Sequence, residues 1–213
     1  RNERKSSFPA KYLKRKSEGF LFVEWWVDLD MSHYHTKLKY LSFTMLLSNL
    51  SADLPQIFIT EIMASNATSN LDPDFYEFSD WIEIFNSEDT VVNISGYYIS
   101  DDLDNPYKFQ FLENTIILPH SYFILWADGK NLYPNEHHPA YPSYVDKNIA
   151  SYHANFKLSK GGEEVGLFDS SGNLIDAITF EEQLTDISYG IASLSSFSYN
   201  YFYPSSLGEQ SIN

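Results

Sequence analysis

Two groups of residues in this chain have the types needed to hold a metal ion. Glu136-His137-His138, joined by His153 or Asp146, offers imidazoles and carboxylates, while Asp72-Pro73-Asp74 and the run Asp101 to Asn105 (DDLDN) offer oxygens suited to calcium. Neither group has a ligand spacing that makes the chemistry specific. The histidines lie in a Pro-rich stretch rather than in an H-x-x-x-H pair on a helix. The acidic runs lack the glycine and distal glutamate of an EF-hand loop. The expectation is therefore a solvated loop and acidic turns, with no metal and no cofactor.

Catalytic groups are weaker still. There is no G-x-S-x-G elbow to present a serine. Glu163 and Glu164 are adjacent, so on a strand they face opposite ways and cannot share one substrate as acid and base. Lys160 to Gly166 (KGGEEVG) lacks the lysine and hydroxyl that close a phosphate loop, and its glycines read as a turn entering a strand. No catalytic residue is expected, and the chain is read as a non-enzyme.

The elements around these residues are strands. Asp80 to Phe85 (DWIEIF) alternates, with Ile82 and Ile84 on one face and Trp81, Glu83 and Phe85 on the other. Tyr122 to Asp128 (YFILWAD) is apolar on both faces, as a covered central strand would be. The segments Glu163 to Asp169 and Asn173 to Phe180 flank Ser170-Ser171-Gly172, a hairpin signal that lets Val165 and Leu167 meet Ile175 and Ala177. Ile59, Ile82, Ile84, Leu125, Val165, Leu167 and Ile175 are the expected core. Short strands with turns every eight to twelve residues indicate an all-β sandwich.

The blocks IFITEIMASN (from Ile57), SDWIEIFN (from Ser79), NISGYYISDDLDNPYKFQF (from Asn93), TIILPHSYFILWADGK (from Thr115) and NFKLSKGGEEVGLFDSSGNLIDAITF (from Asn155) together resemble the lamin tail domain, particularly its bacterial surface and secreted form. The resemblance implies an immunoglobulin-like antiparallel topology over residues 53–213. It also implies a non-catalytic interaction module of an extracellular or cell-surface protein, accessory to other domains. A nuclear lamin fragment is a further alternative, although no heptad rod precedes the blocks and no prenylation cysteine ends the chain.

Composition narrows the partners. Through Leu50 there are nine Lys and Arg against five acids, a balance of +4; from Ser51 onward five Lys face 24 acids, a balance of −19. A domain this acidic is repelled by phosphate backbones, which excludes nucleic acid as its target. The absence of cysteine excludes a disulfide framework, thiolate metal sites and cysteine nucleophiles. What remains for binding is aromatic. Tyr97, Tyr98 and the loop residues Tyr133, Tyr141 and Tyr144 are the candidate contacts for a protein partner or, as an alternative, for a glycan.

Residues 31–52 read as a secretory leader, with Lys37 and Lys39 before an apolar run from Tyr40 to Leu50 and a small residue at Ala52. That run is too short to span a bilayer, so no membrane span is expected in the mature chain, which is read as extracellular or surface-exposed. Residues 1–30 stay unassigned, either disordered or upstream of the true start. Sequons at Asn49, Asn66 and Asn93 matter only where a secretory pathway glycosylates asparagine.

Overall fold

The computed structural model describes residues 56–193 and 198–208, so the expectations for the leader and for residues 1–30 lie outside the described residues. Within them every regular element is a strand: β1 (Ile57–Met63), β2 (Trp81–Asn86), β3 (Val92–Asn93), β4 (Tyr98–Ser100), β5 (Phe109–Gln110), β6 (Ile116–Ile117), β7 (Tyr122–Trp126), β8 (Tyr152–His153), β9 (Glu163–Phe168), β10 (Leu174–Phe180), β11 (Ser188–Ser193) and β12 (Ser198–Phe202). A six-stranded sheet runs β12-β11-β1-β2-β7-β8, a four-stranded sheet runs β10-β9-β4-β5, and β3 pairs with β6. The expected all-β, immunoglobulin-like sandwich is present. One pairing departs from the antiparallel rule, since β8 lies parallel to β7. No helix among the described residues is long and apolar enough to cross a membrane.

The core lies between the two larger sheets. Ile59, Ile62, Ile82, Ile84 and Leu125 meet Ile99, Phe109, Val165, Leu167 and Ile178, all buried. Apolar area on this scale is the main term holding a sandwich together, at about 25 cal/mol per Å² removed from water. Of the expected core, Ile175 alone is only half-buried. The cause is a register shift between Leu174 and Asp176, which sets Asp176 opposite Leu167 and Ile178 opposite Val165. The pairing of Val165 and Leu167 with Ile175 and Ala177 is thereby displaced by one residue.

A second shift, between Ile59 and Glu61 of β1, decides what each face carries. In an unbroken strand Ile59 and Glu61 would share a face. The extra residue, Thr60, lets Ile59 and Ile62 both face the core while Glu61 turns outward beside Glu83, its partner on β2. Gly190 of β11 sits opposite Glu61, and a Cβ there would lie 2.2 Å from the Thr60 carbonyl oxygen. The bulge therefore requires a glycine across from it.

Two asparagine amides close the loops at the ends of β1 and β2. Asn86, fully buried, donates from Nδ2 to the carbonyls of Thr90, Ile117 and Leu118 and accepts the Glu88 N–H on Oδ1. Asn66 donates from Nδ2 to the carbonyls of Asn70 and Ser79 and accepts the Ser69 and Asn70 N–H groups. Both anchor turns that the sheet ladder leaves without partners.

Candidate functional site

Two buried groups of ionisable side chains stand out, and the fold builds them by different means. The first gathers at one end of the six-stranded sheet. The parallel register of β7 and β8 sets Trp126 beside His153, which brings Asp128, two residues past Trp126, to the imidazole. The loop after β1 supplies the rest. There Asp72 accepts the Asp74 N–H on Oδ1, its own N–H reaches the Glu77 carbonyl, and Tyr76 turns through a left-handed φ of 57° to return its N–H to Asp72. This tight turn aims both aspartates inward.

His153, fully buried, stands among three carboxylates. Its Nδ1 is 2.9 Å from Asp128 Oδ2 and 3.9 Å from Asp72 Oδ2, and its Nε2 is 3.3 Å from Asp74 Oδ2. Burial alone lowers the basicity of an imidazole. Here the hydrogen bonds to Asp128 and Asp74 and the charge of Asp72 outweigh it, so the His153 pKa is raised. Burial likewise opposes ionisation of Asp128, but His153 and Lys130 overcome it and hold its pKa low. Asp74 is also held low, with the Ala150 and Ser151 N–H groups and His153 outweighing its burial. Asp72 differs: burial prevails and its pKa is raised.

Lys130 completes the group, with Nζ 2.9 Å from Asp128 Oδ2, 2.8 Å from Glu77 Oε2 and 4.4 Å above the Phe75 ring. The Phe75 ring also meets His153 edge-on and leans against His138. His138 accepts the Ala140 N–H on Nδ1, so its Nε2–H is the donor to the Asp74 carbonyl at 2.9 Å. The Lys130–Glu77 pair and the His138–Asp74 bond tie the base of the 130–154 loop to the β1–β2 loop.

The second group lies on the outer face of the same sheet. Glu61 and Glu83 are cross-strand partners, 1% and 0% exposed. Burial pushes the Glu83 carboxyl up to about 8, against hydrogen bonds from Thr60 and Gly208 and with the nearby Glu61 charge adding to the rise. The C-terminal segment covers the pair: Ser206 meets Glu61 with both its hydroxyl and its N–H, the Gly208 N–H reaches Glu83 Oε2, and Leu207 packs on Met63, Trp81 and Trp126. Burial and the same two glutamates push the Tyr122 hydroxyl up to about 12. Paired carboxylates suit acid–base chemistry, but these are sealed from any substrate and act as an attachment for the chain end.

The sequence-derived candidates are dispersed. Tyr133 is half-buried and stacks on Phe109 at 5.1 Å, and Tyr97 packs against the core. Tyr98 meets Tyr107 edge-on and accepts from Gln110. Tyr141 is exposed and edges His138, while Tyr144 is 86% exposed. Trp81 and Trp126 are buried, as their sheet positions require. Glu136, His137 and Asp146 are exposed, whereas His138 and His153 are inside. Asp101 to Asn105 forms a turn, with Asp102 accepting the Asp104 N–H and Lys108 paired to Asp101 at 2.6 Å.

Sequence reasoning named Asp72, Asp74 and His153 in separate groups and omitted Asp128 and the Glu61–Glu83 pair. Only strand pairing joins them. Comparison with known proteins adds one finding and one negative. No curated protein matches the chain. The family model for the Lamin Tail Domain matches residues 51–182, the span that holds β1 through β10 and the whole His153 group. Domains of that family are non-enzymatic, immunoglobulin-like interaction domains. On this match and this sandwich, the chain belongs to the lamin tail domain family.

Proposed function

We propose that this domain is a non-catalytic, partner-binding module of an extracellular or cell-surface protein, accessory to other domains. Family membership carries the reading, since lamin tail domains are interaction domains. Its surface supports it. The 130–154 loop is anchored at its base by His138, Asp74 and His153, yet it leaves Tyr141 and Tyr144 exposed. A rigid base with aromatic residues at the surface lowers the entropy lost on binding. The net acidity directs the domain toward neutral or basic protein surfaces.

A photo-crosslinking residue placed at position 144 of the full chain, in its native host, tests this reading. The expected result is a discrete crosslinked species in the extracellular or surface fraction, lost when Tyr141 is replaced by Ala. A chain confined to the cytoplasm overturns the location, and a purified chain that turns over ester, glycoside or phosphodiester substrates overturns the non-catalytic role. A glycan is the second reading, favoured by the exposed Tyr144 ring, which is free to stack on a sugar face. A glycan array separates the two, because a specific signal that disappears in Tyr144→Ala assigns the loop to sugar.

A further inference from the structure

The His153 group has more carboxylates than cations. Asp72, Asp74, Asp128 and Glu77 face two cations, His153 and Lys130. The imbalance falls on one atom. Asp72 is 0% exposed, its Oδ1 takes the Asp74 N–H, and its Oδ2 is buried without a hydrogen-bond partner. His153 Nδ1, at 3.9 Å, is too far to bond it and is already engaged at 2.9 Å by Asp128. A buried carboxylate oxygen facing no donor is costly, and a cation removes that cost.

We infer that Asp72 Oδ2, Asp128 Oδ2 and His153 Nδ1 form a binding site for a divalent transition-metal ion of the zinc class. Asp72, Asp128 and His153 each bring a ligand atom within 4.8 Å of the other two, and His153 Nδ1 lies 2.9 Å from Asp128 Oδ2 and 3.9 Å from Asp72 Oδ2. Ligands about 2.0–2.1 Å from a tetrahedral ion stand roughly 3.3 Å apart, so these separations bracket the required one. The ion replaces the proton that His153 Nδ1 shares with Asp128, and that proton leaves to solvent. Nε2–H stays on Asp74 Oδ2, which the Ala150 and Ser151 N–H groups hold in place. A carboxylate fixing the far nitrogen of a ligating imidazole is the usual support of such sites. An imidazole with two carboxylates suits zinc or manganese; calcium requires six to eight oxygens. The site departs from the metal-free expectation drawn from the sequence.

Lys130 is the competitor, because its Nζ lies 2.9 Å from the same Asp128 oxygen. The ion therefore displaces Lys130 onto Glu77, 2.8 Å away from it on the other side. Bound metal would join the loop after β1 to β7 and β8, and so fix the root of the 130–154 loop.

The test is calorimetric titration of the full chain with zinc chloride, repeated with cobalt chloride to read the visible absorption of a ligated ion. One ion per chain is expected. Asp72→Asn should weaken binding at least tenfold, Lys130→Met should tighten it several-fold, and His137→Ala on the surface should leave it unchanged. No binding by the parent chain overturns the inference, as does affinity indifferent to Asp72→Asn. If Asp72→Asn does not fold, Lys130→Met decides: unchanged or weaker binding overturns the site. Binding lost in His137→Ala assigns the ion to the surface and overturns it equally.

Discussion

The His153 group and the Glu61–Glu83 pair meet the same difficulty, carboxylates removed from water, and answer it in opposite ways. Around His153 the answer is opposite charge. His153 and Lys130 hold the Asp128 pKa low against its burial, and His153 joins the Ala150 and Ser151 N–H groups in holding Asp74 low. On the outer face no cation faces Glu83 among the described contacts, and its carboxyl stays protonated up to about pH 8. Counter-charge depends on positioning several residues from distant parts of the chain. A proton needs only burial and comes from solvent. The first arrangement is therefore sensitive to mutation and the second to pH.

The largest effect should come from removing the central cation. His153→Gln leaves Asp74 and Asp128 without their shared partner, and loss of one member of a buried charge network costs about 3–5 kcal/mol. Chemical denaturation of the metal-free chain checks this, and a loss below about 1 kcal/mol would show that the carboxylates simply take up protons, erasing the contrast between the two groups.

Next is the pH dependence of the second group. Glu83 titrates near 4.5 when unfolded and near 8 when folded, so between those values the native state holds the extra proton. Stability from this group should be full below about pH 4.5, fall as pH rises, and level off above about 8. Glu83→Gln should flatten that slope and match the parent at pH 5 while exceeding it by a few kcal/mol at pH 8.5. Equal slopes in parent and variant would mean the outer face reaches water.

Smaller still is the clasp over the pair. Ser206→Ala removes the hydroxyl that meets Glu61 and should cost about 1 kcal/mol, with faster proteolysis at the chain end. Tyr144→Ala, which touches neither group and is highly exposed, should change the melting temperature by less than the equivalent of about 0.5 kcal/mol. A larger shift would give Tyr144 a structural rather than a binding role.

The fold could be read in the sequence because strands announce themselves locally. The alternation of Trp81 to Phe85 placed Ile82 and Ile84 in the core, and Ser170-Ser171-Gly172 marked the β9–β10 hairpin, where Gly172 takes a φ of 82°. Bulges do not announce themselves. Thr60 and Ile175 each shift a register by one residue, and that shift moved Ile175 toward solvent and created the Glu61–Glu83 pair. The His153 group was out of reach for another reason. Its hydrogen bonds span 25 and 79 residues, and its geometry depends on a parallel pairing two residues long. Burial on both faces of β2 was equally hidden, since it depends on Leu207 and its neighbours at the far end of the chain.

The Asn66 amide bears on how the protein can be produced. Its nitrogen, which a glycosyltransferase would modify, is the atom that closes the loop onto Asn70 and Ser79. Oligosaccharide transfer acts on chains before they fold, so a eukaryotic secretory host that modified this sequon would lock the loop open. Asn93 is exposed, and its Nδ2 can carry a sugar while Oδ1 keeps the Ser95 N–H. Bacterial expression avoids the conflict at Asn66; where a eukaryotic host is used, Thr68→Ala removes the sequon and leaves the Asn66 amide in place, giving up only the hydroxyl contact to Asp186.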